Sequence, residues 1–150
     1  MTESSRFFTQ TSMVFYQPVD EIWLALVDMH SYWKWNPILK DVRLPNGLLY
    51  CDPIIAKYSI FTGESEKKGR INKVEDHSMI GFSFYRYHHK LCSENWQIEL
   101  KETADGATEV SLQIGYSGWF SASTWQHESV AMNVACDVFL HALKQKLEEE

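Results

Sequence analysis

Glycine and proline are scarce, seven and four in 150 residues, and neither recurs at a fixed interval. That excludes collagen-like repeats and Gly-rich or Pro-rich linkers. Cysteine is scarcer still. Cys51, Cys92 and Cys136 stand far apart with no Cys-x-x-Cys pair, so their spacing encodes neither a disulfide framework nor a zinc ligand set, and reduced thiols are expected. Basic residues are outnumbered, 14 Lys and Arg against 20 Asp and Glu, for a formal net charge of −6, and no Lys/Arg cluster breaks that balance. This argues against a nucleic-acid face. No apolar run reaches the roughly 20 residues that span a bilayer, and Met1 to Phe8 carries Glu3 and Arg6 where a signal peptide would be apolar. No membrane insertion and a cytoplasmic location are the expectations.

Motifs of site chemistry are equally sparse. No Gly-x-Ser-x-Gly elbow surrounds a serine, so nucleophilic catalysis has no specific support. The stretch Gly63 to Gly69 contains Glu64 and Glu66, which would repel a phosphate, and no helix follows it. His88 and His89 are adjacent, and neighbours in a strand face opposite ways. His127 and His141 lie near one helix face, but at 1.5 Å per residue they sit about 21 Å apart, too far for one ion. No metal and no cofactor are expected.

What the chain does have is hydrophobic substance, 45% of residues with 14% aromatic, enough for a packed core and read as one domain over residues 1–150. Turn signals punctuate it at short intervals: Asn46-Gly47, Asp52-Pro53, Gly63 with the polar run to Gly69, Asp76-His77-Ser78 and Asp105-Gly106. Arg6 to Tyr16 reads as a strand. Pro18, Asp20 and Glu21 then suit a helix start, and Val19, Ile22, Trp23 and Leu26 give that short helix one apolar face. From Ser123 onward there is no Gly or Pro, and Trp125, Met132, Cys136, Phe139, Leu140, Leu143 and Leu147 follow helical spacing. One long helix is predicted, with Ser123 and Gln126 as its capping box, and Cys136 as a small core hydrophobe.

Between the helices, alternation sets the strand faces. Cys92, Glu94, Trp96, Ile98 and Leu100 share one side, and Ser93, Asn95, Gln97, Glu99 and Lys101 the other, so the even positions face the core. A hairpin centred on Lys90 pairs Ile80 with Leu100, Phe82 with Ile98, Phe84 with Trp96 and Arg86 with Glu94. A three-residue loop, Ala104-Asp105-Gly106 with a left-handed Gly106, brings Val110, Leu112, Ile114 and Tyr116 inward on the next strand. Leu39 to Arg43, Ile54 to Phe61 and Arg70 to Glu75 extend the sheet, with Lys57 and Tyr58 competing for its inner side.

Arg86, Glu94 and Tyr116 stand out because charged groups on an otherwise apolar inner face cost several kcal/mol unless paired or hydrated. Two readings compete. One is a cross-strand salt bridge near the sheet edge with Tyr116 bonded to it. The other is a set of polar anchors in an apolar pocket, since such pockets use only a few convergent polar groups. Tyr32, Trp33 and Trp35, before Asn36-Pro37, form the densest aromatic cluster and read as packing, with a mobile gate at a pocket entrance as the alternative.

The segment Pro18-Val19-Asp20-Glu21-Ile22-Trp23, continuing through Asp28 to Tyr32 and Trp35-Asn36-Pro37, resembles the N-terminal signature of the START-like superfamily (SRPBCC), which includes polyketide cyclases and lipid-transfer proteins. The resemblance covers nearly the whole chain. It implies an α+β helix-grip fold, with a curved antiparallel sheet of about seven strands wrapped around a long C-terminal helix and two short helices after the first strand. It also implies a deep cavity between sheet and helix, and no shared catalytic motif; Trp23, Trp35, Asn36 and Pro37 read as structural.

The function expected on this basis is binding or transport of a small hydrophobic ligand, lipid or polyketide-like. The expected lining is Phe82, Phe84, Trp96, Ile98, Leu112 and Ile114 from the sheet and Met132, Phe139 and Leu143 from the helix. Arg86, Glu94, Tyr116 and Tyr58 would orient the ligand's polar end. The resemblance leaves two alternatives open: a polyketide cyclase or dehydratase using the same cavity residues, and an interaction module of the chaperone-ATPase-activator type.

Overall fold

The computed structural model describes residues 7–49, 51–59, 63–86 and 91–149, with Arg86 described by its backbone alone. Strand β1 (Phe7–Phe15) leads into helix α1 (Val19–Val27) and a 3-10 segment, Met29–Lys34. Six strands follow, β2 (Leu39–Arg43), β3 (Pro53–Tyr58), β4 (Ser65–Glu75), β5 (Met79–Arg86), β6 (Cys92–Glu102) and β7 (Thr108–Ser117), before the closing helix α2 (Ser121–Glu148). The strands form one sheet in the order β1-β7-β6-β5-β4-β3-β2, and every neighbouring pair is antiparallel. The fold is the expected helix-grip α+β arrangement.

Local chemistry explains the helix boundaries. Pro18 sits just ahead of α1 in an extended conformation and cannot donate, while Asp20 and Glu21 occupy the first turn, where the exposed amides favour negative charge. The helix then buries Ile22, Trp23, Ala25 and Leu26. Helix α2 starts at Ser121, two residues before the expected capping serine, and Phe120 takes the cap position with no side-chain cap. Ser123 instead donates to the Phe120 carbonyl at 3.2 Å, so the capping-box assignment is corrected.

Register is decided differently in the two central hairpins. Between β6 and β7 it is the expected one, with Leu100 opposite Val110, Ile98 opposite Leu112, Trp96 opposite Ile114 and Glu94 opposite Tyr116. The loop closes with Gly106 at φ +83 and Thr103 N–H on the Ala107 carbonyl. Between β5 and β6 the expected pairs are shifted by two residues: Ile80 lies opposite Ile98, Phe82 opposite Trp96, Phe84 opposite Glu94, and Arg86 opposite Cys92 rather than Glu94. A two-residue slip leaves every side chain on its original face, so alternation cannot detect it. The chosen register stacks Phe82 on Trp96 with ring centres 5.6 Å apart and joins Ser83 to Asn95 on the outer face at 2.5 Å.

Strand β4 begins at Ser65, inside the polar run read from sequence as a turn. Of its outward charges, Glu66 is paired across the sheet with Arg43 at 2.8 Å. Gly69 is part of this strand because a Cβ there would stand 1.6 Å from the Ser83 carbonyl oxygen. On β3, Tyr58 faces in and is 1% exposed, whereas Lys57 is exposed. Phe61, the expected end of that strand, lies outside the described residues.

Helix α2 lies across the inner face of the sheet. Cys136 reaches the Leu112 carbonyl of β7, and Thr11 of β1 donates to Asp137 at 2.9 Å. Phe139 meets Trp96, Trp35 and Tyr32 edge-on at ring separations of 5.9, 5.8 and 6.2 Å. Full burial of a side chain such as Phe139 contributes roughly 1.5–3 kcal/mol of transfer free energy. Of the aromatic cluster after α1, Tyr32 is core and donates to the Leu26 carbonyl at 2.5 Å. Trp35 is half-buried against that core and Trp33 is 65% exposed. Buried Asn36 accepts the Ile38 and Leu39 amides on its side-chain oxygen, closing the turn into β2.

Candidate functional site

The inner face changes character along β6. Ile98 and Trp96 are apolar and buried, and one step further Glu94 points the same way and is only 1% exposed. Removing a carboxylate from water costs several kcal/mol unless hydrogen bonds replace the lost hydration. Here the Tyr58 hydroxyl donates to Oε1 at 2.9 Å and the Trp96 indole N–H donates to Oε2 at 2.7 Å. Tyr58 comes from β3 and Trp96 from β6 itself, so the site spans the concave sheet. Met132 of α2 closes over it, with Sδ 3.7 Å from the Tyr58 hydroxyl.

Beside Glu94 on the next strand stands Tyr116, fully buried. Its hydroxyl donates to Glu128 of α2 at 2.5 Å, and Trp125, one helical turn before Glu128, packs edge-on against its ring at 5.2 Å. On the far side Lys67 of β4 sets its ammonium 5.6 Å from the centre of the Tyr58 ring, a cation–π arrangement. Among the described residues, the polar end of the interior brings together two carboxylates, two phenols, an indole and a half-buried ammonium.

Of the residues expected to line a pocket, Phe82, Phe84, Trp96, Ile98, Leu112, Ile114, Met132, Phe139 and Leu143 are all withdrawn from solvent, as are Tyr58, Glu94 and Tyr116. Rings link several of them: Tyr58 meets Phe84, Phe84 meets Phe82, Phe82 stacks on Trp96, and Trp96 meets Phe139. Arg86 does not oppose Glu94; the cross-strand row at that level is Phe84, Glu94 and Tyr116. The Arg86 side chain, and His88 and His89, lie outside what is described. Lys67 and Glu128 are the site residues that the sequence reading missed. Glu128 carries a usable signal, since it lies four residues before Met132 and therefore on the same helix stripe.

A separate cleft of about 830 Å³ opens between α1, the 3-10 segment and the C-terminal turns of α2, and shares no residue with that lining. Trp35, Ala25, Leu24 and Ala142 supply its apolar surface, and Glu21, Asp28, Lys34, Lys146 and Glu149 its charges. No helix among the described residues is long and apolar enough to cross a membrane.

No protein-family model and no curated protein matches the chain. Solved structures do. A Nitrosomonas europaea protein superposes with a TM-score of 0.75 at 15% identity, covering 98% of this chain and 97% of that one. A START superfamily protein from Mycobacterium smegmatis gives 0.61 at 10% identity, covering 87% and 97%. DynU16, a protein of the dynemicin biosynthetic locus, gives 0.68 at 16% identity, covering 94% of this chain and 47% of its own length. At these identities the likeness is one of fold: the chain has a START-like fold.

Proposed function

We propose that the protein binds a small hydrophobic molecule between the concave sheet and α2, with the guest's polar end held at Glu94. The observation that carries this reading is the Glu94 carboxylate itself, 1% exposed at the boundary of an apolar interior and braced by Tyr58 and Trp96. A purely structural interior of this size gains little from a buried carboxylate, since apolar residues of similar volume are commonly as stable there. Pockets for small molecules pair apolar walls with a few convergent polar groups in this way. The START-like fold is compatible with the reading.

The test is native mass spectrometry of the protein as purified, with displacement of an environment-sensitive hydrophobic dye by added ligands. A co-purifying mass, or saturable displacement at one site per chain, is expected. A bare chain that neither carries a guest nor displaces dye would refute the reading.

A second reading has its own support. Glu94 lies opposite Tyr116 in the β6–β7 register and Glu128 accepts the Tyr116 hydroxyl, a set of groups able to move protons on a bound polyketide-like substrate in cyclase or dehydratase chemistry. Turnover unchanged in Glu94→Gln and Tyr116→Phe variants would remove both residues from such a mechanism.

A further inference from the structure

The two edges of the sheet are guarded unequally. An edge strand exposes alternate main-chain amides and carbonyls that template further pairing, and proteins block such edges with charge, proline, bulges or short length. Strand β2, the edge at one end, carries each of these. It has five residues including Lys40, Asp41 and Arg43, a register shift between Leu39 and Asp41, and Pro37 and Pro45 just outside it. Strand β1, the edge at the other end, carries none. Its nine residues, Phe7–Phe15, include no charge, no Pro and no Gly, and they pair with β7 in one unbroken register. Among the described residues no strand lies on the other side of β1.

Helix α2 adds an apolar flank to this open edge. Asn133 and Asp137 bond to Thr9 and Thr11, which sets one stripe of the helix over β1. At about 100° per residue, Val130 and Val134 lie about 60° and 100° round the helix from Asn133, on the side away from buried Cys136. They are 75% and 56% exposed, and a strand added to β1 would run beside them.

The sequence of β1 matches itself when reversed. In antiparallel pairing centred on Thr11, Phe7 meets Phe15 of a second copy, Phe8 meets Val14, Gln10 meets Ser12 and Thr11 meets Thr11. Apolar meets apolar and polar meets polar at every position except Thr9 with Met13. The lack of charge matters, because each chain carries a net −6 and like charges set directly opposite each other destabilise a strand pair. We propose that the protein is a homodimer in which the β1 strands of two copies pair antiparallel about a twofold axis at Thr11. The two sheets then become one, Phe8 and Val14 cover each other on its outer face, and Val130 and Val134 pack against the partner's strand. A contact of this kind uses the same patch twice and closes at two chains. The pairing does not depend on what the interior holds.

Sedimentation velocity of the full chain across micromolar concentrations tests this, and a species of twice the chain mass is expected. Gln10 and Ser12 are both exposed and meet across the proposed axis, so paired substitutions there read the register directly. Gln10→Lys/Ser12→Lys sets lysine against lysine at both crossings and should weaken the dimer about tenfold or more, whereas Gln10→Glu/Ser12→Lys sets opposite charges together and should retain it. Val130→Glu/Val134→Glu, at exposed helix positions, should also dissociate it, and circular dichroism checks that each variant is folded. If the lysine variant does not fold, the helix variant decides. A chain that stays monomeric at every concentration overturns the dimer and leaves the β1 edge to a strand of some other protein. Species larger than two chains, a dimer indifferent to these changes, or one weakened equally by the lysine pair and the opposite-charge pair overturns the β1 pairing.

Discussion

Tyr116 of β7 and Glu128 of α2 are joined by a 2.5 Å hydrogen bond, which fastens the N-terminal half of the long helix to the sheet next to Glu94. Tyr116 is fully buried and Glu128 half-buried, so removing the phenol oxygen lets the glutamate hydrate. Tyr116→Phe is therefore expected to cost about 1 kcal/mol. A double-mutant cycle with Glu128→Gln, read from urea midpoints, should give a coupling of about 0.5 kcal/mol or more; additive effects would show that the contact contributes nothing.

Glu94→Ala should be far more costly, because it removes the carboxylate oxygens that accept the buried Tyr58 hydroxyl and Trp96 indole N–H. Losing the charged acceptor of two buried donors predicts a loss of about 3 kcal/mol. Glu94→Gln keeps one acceptor oxygen and should lose less. Chemical denaturation of both variants checks the order, and an alanine variant as stable as the parent would show that the two donors do not depend on this acceptor.

Alkaline pH should weaken the fold above about 9. Burial pushes the Cys136 thiol from its ordinary 9.0 up to about 12, with Asp137 adding to the effect. Burial, helped by Asp28, likewise raises the Tyr32 phenol well above its ordinary 10.0. Both groups ionise first in the unfolded chain, so their contribution is fully present below pH 9 and is lost as pH climbs toward 12. Urea midpoints measured across that window should fall, and Tyr32→Phe should flatten the decline while lowering stability at neutral pH through loss of its bond to Leu26.

Gly69→Ala should disrupt the β4–β5 pair, since its Cβ would fall 1.6 Å from the Ser83 carbonyl oxygen, a backbone atom that cannot rotate aside. A loss of about 3 kcal/mol or more is expected from this overlap, seen as a depressed melting temperature. Gly106→Ala, left-handed but in open space, should cost only about 1–2 kcal/mol.

Much of this architecture is legible in the residues alone. Strict alternation from Cys92 to Lys101 names the inner face of β6, and Gly106 after Ala104-Asp105 fixes the β6–β7 register. Helical spacing from Met132 to Leu147 finds the buried stripe of α2. The β5–β6 register is not legible, because pairings two residues apart bury the same side chains. The start of β4 is hidden for another reason: Glu66 sits on a surface where ion pairing to Arg43 replaces hydrophobic burial, so the segment looks like a turn. Losing β4 also hid Lys67, and the misplaced pairing of Arg86 with Glu94 obscured the donors that Glu94 has in Tyr58 and Trp96.

The first strand in the sequence is hydrogen-bonded to the seventh, Phe7 opposite Tyr116 through to Phe15 opposite Thr108, and its inner face is tied to α2 by Thr9 with Asn133 and Thr11 with Asp137. During synthesis β1 therefore leaves the ribosome about a hundred residues before its partners exist. Closing so long a loop is entropically costly, and topologies rich in such distant pairings fold slowly. Docking of β1 is accordingly a late event on the folding route, and the nascent chain must keep Phe7, Met13 and Phe15 from aggregating until α2 has emerged.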